Sequence, residues 1–175
     1  MTPCVLLKGY LDRIAIESAI RQITTYWHTE DTILLAFDSE GGNVSPAIEF
    51  IDFLKSAEKN GLKIGMWLYN VKSVAAAIAF SAGSRRDLNK KSIVEFHRGS
   101  LQLEAPDFDQ ATGLIKPEII DQFNKYHTLL LSILEQHGIN KDQKMMAELY
   151  GSNWLKLDAS KCLELGMIND TFFPY

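Results

Sequence analysis

The sequence predicts an α/β fold, in which repeated βαβ units build a largely parallel sheet flanked by helices. Three observations predict it. Short apolar runs alternate along the chain with amphipathic stretches, as expected of strands joined by crossover helices. Prolines and glycines punctuate the changes from one pattern to the other. The 175 residues, 46% hydrophobic and 23% charged, suffice for one real core. With no internal repeat and no low-complexity segment, residues 1–175 read as a single domain.

The elements follow in order. "CVLLKG" reads as a strand. "DRIAIESAIRQITTYW" carries Ile16, Ala19, Ile20 and Ile23 at helical spacing, with Asp12 as N-cap. "TILLAFD" is a buried strand. "SPAIEFIDFLKSAEKNG" is a helix, with Pro46 in its first turn and Asn60-Gly61 at its end. "LKIGMWLY" is the next strand. "SVAAAIAFSAGS" is small, apolar and helical, ending near Gly83. "SIVEFHRG" is another strand. The polar connection "SLQLEAPDFDQATGLI" has few helix signals and the length of a flap or binding loop. A long helix near 117–137 spans "KPEIIDQFNKYHTLLLSILEQHG", with Pro117 at its start and Gly138 at its end. "KDQKMMAELYG" continues in helix. "DASKCLELGMIND" is a short helix capped by Asp158, and a final strand lies near "MINDTFF".

Composition narrows the function. A formal net charge of −4 without a long basic run argues against nucleic acid as a partner. Cys4 and Cys162 lie far apart and form neither a disulfide framework nor a metal-type pair, which suits a reducing cytoplasm. "MTPCVLLKGYLDR" has no basic region followed by a long apolar one, so no signal peptide is expected. No run of about 18 apolar residues exists, so no membrane insertion is expected.

Three pieces carry candidate chemistry. "EGGNV" ends a strand, and paired glycines there let the backbone approach a ligand and present N–H groups. Ser73 follows a strand and opens a small-residue helix, where free N–H groups and positive potential gather. His97 ends a strand and supplies the usual base for a serine hydroxyl. Each piece also has a plain reading. The glycines also read as a tight turn, Ser73 as an N-cap, His97 as a surface histidine, and Ala75–Ala77 as core packing. Their order in an α/β chain favours chemistry.

The same segments resemble the Clp protease proteolytic-subunit family, within the crotonase-like fold group. "FDSEGGNVSPAIEFIDFLK" resembles its strand, glycine turn and following helix. "SVAAAIAFSAGS" resembles its nucleophile helix, "SIVEFHRG" the strand ending in its catalytic histidine, and "LDASKCLELGMIND" its closing helix. The similarity runs from about Val5 to Asp170. It implies repeated ββα units and a serine peptidase with Ser73 as nucleophile and His97 as general base. The oxyanion-hole N–H groups would come from Gly42 and Val74. It implies a peptide or protein substrate, a homo-oligomer and no metal or organic cofactor. The long helix, with its stripe Ile119, Phe123, Tyr126, Leu130 and Leu134, takes the place of the helix that stacks the family's rings.

The chain departs from that pattern in several places. Asn70, Val71 and Lys72 stand where the family has glycine and alanines. Glu40 replaces a proline. Read without a one-residue gap, Val74 falls at the nucleophile position. The aspartate of the triad is missing; Asn153 in "YGSNWLKLDAS" is the candidate to orient His97. The resemblance does not include the N-terminal segment through which that family meets its unfoldase, so docking to an ATPase ring is not expected. A Ser–Lys dyad, as in the signal-peptide-peptidase branch, makes Lys116 the alternative base. Two further functions remain: a non-catalytic assembly or regulatory subunit, and an acyl-CoA enzyme of the crotonase type.

Overall fold

The computed structural model describes residues 2–99 and 107–172. Its centre is a sheet in which β1 (Cys4–Leu11), β2 (Thr32–Gly42), β3 (Lys63–Lys72), β4 (Arg85–Asn89) and β7 (Asp170–Phe172) lie side by side in that order, all parallel. Their connections carry α1 (Arg13–Trp27), α2 (Val44–Lys59) and α3 (Val74–Ser81). β5 (Ile93–His97) pairs parallel with the end of β3, and antiparallel with β6 (Trp154–Asp158). α4 (Pro117–Gln136), a 3-10 turn at Ile139–Lys141, and α5 (Gln143–Ser152) precede β6; α6 (Ala159–Glu164) follows it. The predicted α/β class with a largely parallel sheet is the observed one. None of the described helices is long and apolar enough to cross a membrane.

Local chemistry explains the helix starts. The Asp12 carboxylate accepts the Ala15 N–H at 2.8 Å, and Asp158 accepts that of Lys161 at 2.7 Å. Asp142, unremarked in the sequence reading, accepts the Lys144 and Met145 N–H groups and opens α5. Pro117 takes the first turn of α4, where its missing N–H costs nothing. One hydrophobic cluster runs through sheet and helices. Phe37, Phe50, Leu54 and Ile64 are fully buried in it, each worth roughly 1.5–3 kcal/mol against exposure.

Two strands were not expected. In β4, "RRDLN", only Leu88 and Asn89 are buried, so no apolar run marks it. β6, "WLKLD", buries only Leu155 and Leu157. β2 also runs on to Gly42 instead of ending at Asp38, so the glycine pair closes a strand paired to β1 and is not a free turn. Of the polar connection 100–115, residues 100–106 lie outside the described residues. Phe108 and Ile115 bridge across the remainder.

The feature that positions the site is the splitting of β3. Its first half pairs with β4, Gly65 to Leu68. Its last residues turn to β5, with Val71 opposite Val94 and Lys72 opposite Glu95. The end of β3 and the end of β5 therefore arrive together, and these ends carry Ser73 and His97.

Candidate active site

Ser73 sits between β3 and α3 at φ 54, ψ −124. A positive φ is uncommon for any residue with a side chain. Its N–H donates to the Glu95 carbonyl at 2.7 Å, which ties the turn to β5. The hydroxyl makes no capping bond to α3. It meets His97 Nε2 instead. Ser73 thus holds the N-cap position of α3, but its hydroxyl does not cap the helix. Val74, the alternative in the ungapped register, is the first residue of α3 and is buried.

α3 is short and apolar because it is enclosed. Val74 to Phe80 are all at most 2% exposed. Small side chains let the helix pack against β2 and β3 on one side and α2 and α4 on the other. Its first intrahelical bond is Ala77 N–H to the Ser73 carbonyl. The amides of Val74, Ala75 and Ala76 come before it and have no partner in the helix. Their dipoles leave positive potential beside Ser73.

The glycine pair packs against this turn. Gly41 has φ 106; a Cβ built on it would lie 2.8 Å from Ser73 Cβ and 3.0 Å from the Lys72 carbonyl oxygen. At Gly42 a Cβ would run into the Leu11 backbone, 2.7 Å from its Cα. Only glycine fits either place. The fully buried Ser39 hydroxyl fastens the strand end: it donates to the Gly9 carbonyl at 2.6 Å and accepts the Gly41 N–H at 3.1 Å. Gly42, Val74, Ser73 and His97 line one cleft of about 640 Å³, with Phe123 and Tyr126 from α4.

The surroundings of His97 differ from a carboxylate-oriented base. Its Nδ1 accepts the Gly99 N–H at 3.0 Å. Trp154, its partner across the β5–β6 ladder, stacks on the ring with centroids 4.3 Å apart and planes at 26°. Burial holds the His97 pKa below the ordinary histidine value. Asn153 does not orient the ring: it is exposed, ends α5 at φ 65, and forms no hydrogen bond to His97 among the described residues. The adjacent residue, Trp154, takes the contact because β6 starts there. No group of three or more His, Cys, Asp or Glu side chains suited to a metal occurs among the described residues.

The two lysines near these elements have different surroundings. Lys72 Nζ pairs with Glu40 at 2.7 Å and Glu95 at 3.7 Å. The hydrogen bond to Glu40 is the main cause of its raised pKa. Lys116 begins α4, its N–H on the Asp107 carbonyl at 2.9 Å, and is not among the residues lining the cleft.

Tyr126 is the residue that sequence reading placed only in a stripe. It is 1% exposed, and its hydroxyl donates to the His97 carbonyl at 3.2 Å beside the Ser73 hydroxyl. Burial pushes its pKa up to about 12, so at neutral pH it is a donor. The signal was present: a tyrosine in an apolar stripe must satisfy its hydroxyl somewhere. The rest of the stripe divides. Leu130 and Leu134 enter the core, while Ile119 and Phe123 reach the cleft.

No family model and no curated protein matches the chain. Among solved structures it is similar to the ClpP protease catalytic domain from Plasmodium falciparum, at 15% identity. The match covers 98% of this chain and 85% of that one, with a TM-score of 0.70. The fold is therefore ClpP-like.

Proposed function

We propose that the chain is a serine-type peptidase of the Clp kind. One observation carries the reading: Ser73, strained at φ 54, turns its hydroxyl to His97 Nε2 and away from the helix it begins. In the reaction Ser73 Oγ attacks a peptide carbonyl carbon and its proton passes to His97 Nε2. The C–N bond then breaks as His97 returns that proton to the leaving amine. Water, deprotonated by His97, hydrolyses the acyl-enzyme. Gly42 and Val74 are the candidate oxyanion donors, supported by their place on the cleft and by the first-turn amides of α3, which precede the first intrahelical bond. The same reading carries a homo-oligomer with cytoplasmic placement, and requires no cofactor.

The test is fluorophosphonate labelling with the adduct located by mass spectrometry, and with Ser73→Ala and His97→Ala as controls. Labelling at Ser73 that needs His97 supports the reading. Labelling that survives His97→Ala moves the base elsewhere, and Lys116→Ala is then the next variant. No adduct at any protein concentration refutes an active enzyme. It would favour the second reading, a non-catalytic assembly subunit. That reading has an observation in its favour: His97 Nδ1 meets an N–H donor where a triad places a carboxylate.

A further inference from the structure

We propose that Trp154 and the Gly99 amide are the positioning groups of His97, and that they hold its resting proton on Nε2. The inference rests on the Ser73–His97 pairing of the proposed function. An N–H donor needs a lone pair, so the nitrogen that accepts the Gly99 N–H carries none of the ring's protons. The neutral ring then has its single proton on Nε2, the nitrogen facing Ser73. The bonds around the site agree in direction. Gly99 N–H points to Nδ1, and Nε2–H to Ser73 Oγ. The Tyr126 hydroxyl donates onward to the His97 carbonyl.

Each group is itself held. Gly99 has φ 82, and a Cβ there would lie 3.1 Å from Tyr126 Cε1 and 3.4 Å from Phe123 Cε2. Its amide is thus wedged between the His97 ring and α4. Trp154 is fixed by the β5–β6 ladder. Arg98, between the two contacts, lies over the Tyr150 ring at 4.8 Å. The ring plane is set by stacking and the proton by a backbone amide, two tasks that one carboxylate performs in a triad. The consequence is a resting site in which Nε2 has no lone pair for the Ser73 proton. Reaching the competent form moves one proton: Nδ1 gains one from solvent as the Gly99 amide leaves, and Nε2 gives one up. The charge of the ring is unchanged.

The test is two-bond ¹H–¹⁵N correlation on ¹⁵N-histidine-labelled full chain above the histidine titration, with His97→Gln for assignment. The expected result is His97 protonated on Nε2 and bare on Nδ1; a proton on Nδ1 overturns the proposal. Trp154→Ala should raise the His97 titration midpoint as the ring meets water, while Trp154→Phe keeps it low. Fluorophosphonate labelling of Ser73 should fall about tenfold in Trp154→Ala and stay within about threefold in Trp154→Phe. Wild-type midpoint and rate in Trp154→Ala would overturn the positioning role. If the wild-type chain does not label at all, the peptidase reading fails. The tautomer and titration results still decide this one.

Discussion

Replacing Gly41 by alanine tests the contact on which the site is built. Two costs act on the new methyl. The backbone at φ 106 disfavours any side chain, at about 1–3 kcal/mol. The methyl would also stand 2.8 Å from Ser73 Cβ and 3.0 Å from the Lys72 carbonyl, neither of which is a flexible tip, and overpacking of this kind costs about 1–3 kcal/mol. The expected loss is about 3 kcal/mol, or a fall in Tm of about 6–12 °C for a chain of this size. Ser73 must also give way, and a displacement approaching 1 Å costs roughly 10²-fold in rate. Gly61→Ala is the control, since Gly61 has φ 98 but nothing within 4 Å of its Cβ position. It should lose the strain alone and label at the wild-type rate. The assays are thermal unfolding and fluorophosphonate labelling at a temperature where both variants are folded. If Gly41→Ala matches Gly61→Ala in both, the glycine does not position Ser73 and the reasoning fails.

Three further outcomes follow from other parts of the structure. Ser73→Gly should abolish labelling yet raise stability by about 1 kcal/mol, because glycine accepts φ 54 without strain; a less stable variant would show that no strain is held there. Arg86→Met should cost about 3 kcal/mol by removing two charged hydrogen bonds, to the Ala79 and Ala82 carbonyls at 2.7 Å each; an unchanged Tm would deny that Arg86 closes the end of α3. Stability should fall on acidification below about pH 6.5, because burial depresses His97 and His137 and the unfolded chain binds those protons first. The loss ends once pH has passed the folded values. Urea midpoints across this range should slope less in His97→Gln, and an equal slope would remove His97 from the account.

Much of the fold was legible because its signals are local. Asp12 and Asp158 cap helices as their positions implied, and "TILLAF" forms the first half of β2, with Ile33, Leu35, Ala36 and Phe37 buried. β4 and β6 were hidden because each buries only two side chains, too few for a periodic pattern. The site divided in the same way. Ser73 and His97 stood out by chemical type at strand ends, and the structure brings them together. The contacts that decide the state of His97 did not stand out. One is a backbone amide, and another depends on the register of a strand the sequence concealed. Ser39 escaped notice because a strand serine carries no signal of its own.

Three of the residues that depart from the Clp-type pattern, Glu40, Asn70 and Lys72, are partners. Glu40 accepts a hydrogen bond from Asn70 at 2.6 Å and pairs with Lys72 at 2.7 Å. A proline at position 40 would leave the amide and the ammonium without that carboxylate. Glycine or alanine at positions 70 and 72 would leave the carboxylate alone. The three side chains therefore act as a set around one carboxylate, so the stability effects of replacing them are expected not to add.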